Sequence, residues 1–111
     1  MSYDELTNRY QERYGEDPGP EGAHAYAYDA TVLLLSAIDE VAEELDGGGL
    51  SIDRQALRDA LLAVENRRGL TGTLTCDRFG DCADQAFSIV QHLDMNSPEL
   101  ARSTIVYTYP P

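Results

Sequence analysis

The apolar positions change period once along the chain, near residue 70. From Tyr3 to Glu65 they recur every three or four residues, as on one face of a helix; from Thr73 they alternate or run in short bursts, as in strands. The first part predicts three helices. Leu6, Tyr10 and Tyr14 lie four apart with Tyr3 near them. Ser2 and Glu5 make a capping box, and Gly15, Pro18 and Pro20 prevent continuation. The first helix therefore covers about Tyr3 to Tyr14, with its tyrosine row as a packing face. The second runs from about Glu21 or Gly22 to Leu45 on a stripe of Ala23, Tyr26, Ala27, Ala30, Leu34, Ala37, Val41 and Leu45. Between Ala30 and Ile38 it is apolar almost all round, which predicts burial on several sides, against a sheet and other helices. Asp46-Gly47-Gly48-Gly49 breaks it and reads as a flexible link. The third helix, capped by Ser51, starts at about Ile52 or Asp53 and ends at Glu65. Ile52, Ala56, Leu57, Ala60, Leu61 and Val64 form its buried face, and Asn66-Arg67-Arg68-Gly69 ends it.

Strand signals follow. Thr73, Leu74 and Thr75 suit a pleated surface. Gly72 can adopt a conformation other residues avoid. Asp77-Arg78-Phe79-Gly80-Asp81 reads as a turn, with Gly80 the site of positive φ. Phe87–Leu93 places Phe87, Ile89, Gln91 and Leu93 on one face. Ser103–Tyr109 places Ile105, Tyr107 and Tyr109 on one face, and Asp94–Ala101 joins the two as a long hairpin connection. The fold class is α/β: three helices followed by a small sheet of about three strands, helices covering the sheet. Residues 1–111 are a single domain or a fragment of one.

Charge narrows the partners. The formal net charge is −12, from 20 acids against 8 bases, and every base is arginine. No basic stripe exists to displace counterions from nucleic acid, and an anionic membrane surface is equally disfavoured. No window of about 20 apolar residues is long enough to span a bilayer. Met1-Ser2-Tyr3-Asp4-Glu5-Leu6 is polar and acidic, unlike a signal peptide. Asp39, Glu40, Glu43, Glu44 and Asp46 crowd the predicted end of the second helix, where acids oppose its macrodipole.

Candidate chemistry is sparse. There is no G-x-S-x-G, and neither Cys76 nor Cys82 has an evident base beside it. The three glycines at 47–49 lack the G-K-[ST] of a phosphate loop. His24 and His92 are the two histidines and no C-x-x-C spacing occurs, so zinc is not expected. Asp77, Asp81 and Asp84 do not follow the order of a calcium loop and read as turn formers. Neither catalysis nor a metal or other cofactor is expected. In a reducing compartment Cys76 and Cys82 would be small buried thiols; six positions apart across a turn, they are also compatible with a disulfide.

Three segments, in order, carry a resemblance. Gly69–Asp81, G-L-T-G-T-L-T-C-D-R-F-G-D, resembles the "TG-x-x-x-F/C-D-x-x-G-D" signature near the C-terminus of type I periplasmic-binding proteins. These are the Leu/Ile/Val-binding type of extracytoplasmic solute receptors that serve ABC transporters. Tyr10–Pro18, Y-Q-E-R-Y-G-E-D-P, resembles the family's helix ending in "YG-x-x-P". Ala25–Ala37, A-Y-A-Y-D-A-T-V-L-L-L-S-A, resembles its "A-x-A-Y-D-A" helix.

The resemblance implies the C-terminal segment of a longer, two-lobed chain with a periplasmic-binding-protein type I fold, whose exporting segment and first lobes are expected upstream of Met1. It implies uptake of branched-chain amino acids or related small polar solutes, without catalysis. The implied partners are the amino-acid ligand and the membrane permease, in a periplasmic or extracellular location where Cys76 and Cys82 would close a disulfide. In the family the start of the second helix faces the groove between lobes, which makes Ala23, His24 and Tyr26 ligand-cleft candidates. The family's contacts to the ligand's ammonium and carboxylate come mostly from earlier in the chain, so this segment is not expected to bind an amino acid alone. The competing reading is a free-standing α/β interaction module that self-associates through its sheet edge or tyrosine face.

Overall fold

The computed structural model describes residues 1–19, 22–82, 87–91, 96 and 104–109. The first helix, α1 (Tyr3–Tyr14), has the expected bounds. Ser2 Oγ accepts the Glu5 N–H at 3.1 Å, and Gly15, at φ 75°, closes the helix by donating its N–H to the Gln11 carbonyl at 2.8 Å. An Arg9–Glu5 ion pair at 2.8 Å lies along its surface. Its tyrosine row is not a buried packing face. No α1 residue is buried, Tyr3 and Tyr14 are exposed, and Tyr10 instead packs on Tyr14 with ring centroids 4.6 Å apart.

Helix α2 (Ala23–Val41) starts after Gly22, whose φ of 69° suits glycine. It ends four residues before the expected Leu45. Ala42 is extended, and Glu43–Glu44 form strand β1, paired antiparallel with β2 (Leu50–Ser51). Continuing the helix would have set Glu43 and Glu44 against its negative end beside Asp39 and Glu40. The strand pairing satisfies the same backbone groups without that repulsion. Gly47–Gly49 make the tight turn of this hairpin: Leu45 N–H donates to the Gly49 carbonyl at 3.0 Å, and Gly48 N–H to the Leu45 carbonyl at 3.1 Å. The glycines are thus a turn and not a loose link.

Helix α3 (Arg54–Leu62) packs on α2. Its cap is Asp53, which accepts the Ala56 N–H at 2.8 Å; Ser51 is engaged in β2 opposite Glu43. Ile52 is exposed, and Ala56, Leu57, Ala60, Leu61 and Val64 are half-buried. The helix stops at Leu62, short of Glu65. The Val64 carbonyl accepts the Cys76 N–H at 2.9 Å, and Asn66, at φ 52°, donates its N–H to Thr75 Oγ1 at 2.9 Å. Arg67 and Arg68 therefore do not terminate a helix. They form strand β3 (Arg67–Arg68), antiparallel to β4 (Thr73–Leu74), with Arg67 opposite Leu74.

The last pair is β5 (Phe87–Val90) with β6 (Ile105–Tyr109), antiparallel, matching Phe87 with Tyr109 and Ile89 with Tyr107 before a shift of register at Val90. The expected extensions to Leu93 and back to Ser103 lie outside the described residues. The protein is thus a small α/β domain: among the described residues there are three helices and three separate two-stranded sheets, where one sheet of about three strands was expected.

Among the described residues the core is thin: Ala25, Leu33, Ala37, Leu74 and Cys76 are the buried apolar ones, joined by the carboxylate of Asp29. On α2 the buried residues Ala25, Asp29, Leu33 and Ala37 fall four apart, one stripe displaced from the one expected. Leu34 and Leu35, expected inside, are 43% and 59% exposed, so α2 is covered on one side only. The radius of gyration is 18.5 Å, against about 13 Å for a compact chain of this length.

Candidate functional site

The centre of the molecule is the junction of α2 with the loop 69–72 between β3 and β4. Asp29 sits two turns into α2 and is 6% exposed. Its Oδ1 accepts the Leu70 N–H at 2.8 Å; its Oδ2 accepts the Thr71 N–H at 2.8 Å and the Thr71 hydroxyl at 2.7 Å. Below the loop, Gly69 donates its N–H to the Gly72 carbonyl at 2.8 Å. Gly72 takes φ 133°, which an L side chain rarely adopts. Gly69 is needed for a different reason: a Cβ there would stand 2.6 Å from Asp29 Oδ2 and 2.9 Å from Leu74 Cδ1. The glycine lets the loop backbone close onto the carboxylate.

Burial pushes the Asp29 pKa up, but the Leu70 and Thr71 N–H groups and the Thr71 hydroxyl outweigh it and hold the group below its ordinary value. Asp29 is therefore a fixed carboxylate acceptor at neutral pH. A carboxylate whose proton affinity is lowered and which already accepts three hydrogen bonds from one loop is suited to anchoring that loop.

A cleft of about 520 Å³ opens beside this anchor, within the usual range for small-molecule sites. Tyr3, Tyr28, Val32, Arg67, Arg68 and Leu70 line it, with Leu33 and Leu74 at its apolar floor. Arg67 is partly fixed, donating from Nη2 to Ser36 Oγ at 2.6 Å. A second hollow of about 450 Å³ lies between α2, α3 and the turn 78–82, lined by Leu34, Arg58, Leu61, Leu62, Phe79 and Cys82.

The three residues proposed for a ligand cleft, Ala23, His24 and Tyr26, lie together in the first turn of α2. Ala23 is exposed. Tyr26 is 56% exposed and lines a shallow hollow of about 220 Å³ with Thr71 and Cys82. His24 packs on the Tyr3 ring at 5.1 Å, and both its ring nitrogens are buried without a hydrogen-bond partner. None of the three lines the 520 Å³ cleft. Sequence reasoning passed over Asp29, Arg67 and Arg68. A lone acid within the apolar run of α2 was the available signal for Asp29, since a buried carboxylate must find donors.

Cys76 and Cys82 are joined in a disulfide, with Cα atoms 3.8 Å apart. That is closer than the roughly 5.5–6 Å usual across facing strands. The bond does not bridge facing strands but closes the neck of a tight turn. Asp77 N–H donates to the Asp81 carbonyl at 2.8 Å, and Thr75 N–H to the Cys82 carbonyl at 3.2 Å. The Asp77 carboxylate accepts the N–H groups of Phe79 and Asp81 at 2.8 and 3.0 Å, and Gly80 takes the expected positive φ, 87°. Arg78 lies over the Phe79 ring, 4.5 Å from its centroid.

Among the described residues no three His, Cys, Asp or Glu side chains come together as a metal site, and no helix is long and apolar enough to cross a membrane. Comparison of the chain with protein-family models, with curated proteins and with solved structures gives no match.

Proposed function

We propose that this chain is the C-terminal part of an extracytoplasmic solute-binding receptor of the type I periplasmic-binding class. It would serve ABC-type uptake of branched-chain amino acids or related small polar solutes. The observation that carries the reading is the Asp29 anchor. Two of the three resembling segments, the A-Y-A-Y-D-A helix and the G-L-T-G-T-L-T-C-D loop, lie about 40 residues apart in the chain. Their distinctive residues are partners in one cluster: the aspartate of the first accepts the N–H groups of Leu70 and Thr71 in the second. Segments that match a pattern by chance have no reason to complete each other's hydrogen bonding.

The disulfide adds support, since such bonds persist in oxidising compartments outside the cytosol. So does the shortage of buried surface, which suits a segment that packs against further lobes. In such a receptor two lobes meet over the solute, and the permease reads the closed form; closure follows because the solute touches both lobes only when they meet. The role is binding without chemistry.

The test is the DNA upstream of the Met1 codon. An open frame continuous with it, long enough for the first lobes and beginning with an export signal, is the expected result. An in-frame stop directly upstream would overturn the reading. Calorimetry of the 111-residue chain with leucine, isoleucine, valine and their amides is expected to show no heat of binding; micromolar binding would show that the site is complete within this chain.

A further inference from the structure

We propose that the 520 Å³ cleft beside the Asp29 anchor binds a small organic carboxylate with a compact apolar body. The observation that points to it is a local inversion of charge. The chain carries 20 acids against 8 bases, yet among the described residues that line the cleft Arg67 and Arg68 stand with one acid, Asp29. Asp29 does not neutralise them: its carboxylate accepts the Leu70 and Thr71 N–H groups and the Thr71 hydroxyl. Among the described residues neither arginine has a carboxylate partner. Arg67 donates from Nη2 to the neutral Ser36 hydroxyl at 2.6 Å, and Arg68 is exposed at the rim. A guanidinium carries its N–H donors in a planar fork that matches a carboxylate. In so acidic a chain, two arginines without an acid partner beside a cavity are open to an anion from solution.

The rest of the cleft sets what that carboxylate is attached to. Arg67 stands opposite Leu74 in the β3–β4 pair, so the two side chains leave the same face. Leu74 and Leu33 form the floor and are 5% and 7% exposed. A branched or aryl group held over them contacts apolar surface while its carboxylate meets Arg67. An inorganic anion makes only the second contact, and an ammonium group would stand beside two guanidiniums. The ligand is therefore a carboxylate without an α-amino group, which separates it from a zwitterionic amino acid. Ser36, on α2, holds Arg67 before any ligand arrives and so lowers the cost of ordering a long side chain. Ser36 is thus a positioning residue. The site is contained in this chain and does not depend on a receptor role.

The test is a titration of the nitrogen-15-labelled protein at neutral pH, followed by amide NMR, with 4-methylpentanoate, the leucine skeleton without its amino group. A dissociation constant of about 1 mM is expected, the range open to a ligand of about eight non-hydrogen atoms. The amides of Arg67, Arg68 and Leu70 should shift in the unaltered protein, a result that needs no variant. 4-Methylpentanamide, which keeps the body and loses the charge, and leucine should each bind at least about tenfold more weakly. Arg67→Gln should weaken the acid about tenfold, and Arg68→Gln and Ser36→Ala several-fold. Arg54→Gln removes the same charge from α3 and should change affinity less than about twofold. Absence of binding at about 20 mM, acid and amide binding alike, leucine binding as tightly as the acid, equal losses in Arg54→Gln and Arg67→Gln, or shifts confined to the turn 77–82 would each overturn the assignment. The upstream reading frame, which decides the receptor reading, leaves this result untouched.

Discussion

Asp29 and Thr71 are joined twice through one oxygen: Asp29 Oδ2 accepts both the N–H of Thr71, at 2.8 Å, and its hydroxyl, at 2.7 Å. The pair ties the middle of α2 to a loop more than 40 residues later. Removing the carboxylate would strand two backbone donors in a part-buried site. Asp29→Ala is expected to cost about 3 kcal/mol, and Asp29→Asn, which keeps one acceptor, less. Urea unfolding followed by circular dichroism measures both. A loss below about 0.5 kcal/mol for Asp29→Ala would mean that water replaces the carboxylate without cost.

Gly69 and Asp29 form a steric pair as well. Gly69 has no left-handed φ to maintain, so Gly69→Ala tests space alone. The new methyl would stand 2.6 Å from Asp29 Oδ2 and must push the carboxylate or the loop away. A destabilisation of about 2 kcal/mol is expected. In Asp29→Ala the closer of the two obstacles is gone, with Leu74 Cδ1 still 2.9 Å away, so the two changes together should cost about 1 kcal/mol less than their sum. Additive costs would place the Gly69 effect elsewhere.

How much of this could be read along the chain depends on the range of the force involved. Local signals held: Ser2, Gly15, Gly72 and Gly80 act within a few residues, and α1 and the turn 77–81 came out as expected. The end of α2 was misplaced because the alternative partner of Glu43 and Glu44 is another short segment, Leu50–Ser51, with no alternating pattern to announce it. Arg67 and Arg68 likewise read as a helix end, since two residues carry no strand period; their pairing with Thr73 and Leu74 comes from the loop that Asp29 holds. The buried stripe of α2 was displaced for the same reason. A carboxylate scores as surface by hydropathy, but here its donors fix which side of the helix faces inward. The candidate residues Ala23, His24 and Tyr26 came from resemblance, and nothing local to them signalled the cleft that Arg67 and Arg68 line.

Acid sensitivity follows from the same anchor. The folded-state pKa of Asp29 lies below the ordinary carboxylate value, so between the two values the unfolded chain binds more protons. Its contribution to stability is fully present above the unfolded value of about 3.9 and is lost as pH falls through the folded one. Asp29→Asn does not titrate there. The stability gap between the two proteins should therefore be constant from pH 7 down to about 5 and shrink below about 4. Denaturant titrations of both proteins across that window measure it; a gap that widens on acidification would reverse the sign assigned to the group.

Reduction of the Cys76–Cys82 bond tests whether the turn 77–81 is held by sulfur or by its own hydrogen bonds. The loop is short, with a sequence separation of six, so the chain entropy removed from the unfolded state is modest. Treatment with a phosphine reductant should lower stability by about 2 kcal/mol, and the double change Cys76→Ser with Cys82→Ser should match it. Asp77 still accepts the Phe79 and Asp81 N–H groups after reduction, so these amides should keep part of their protection from hydrogen exchange. In Asp77→Ala the order of dependence inverts: the disulfide remains, yet those two amides lose their acceptor and should exchange faster. If reduction alone abolishes their protection, the carboxylate is secondary and the covalent link sets the turn.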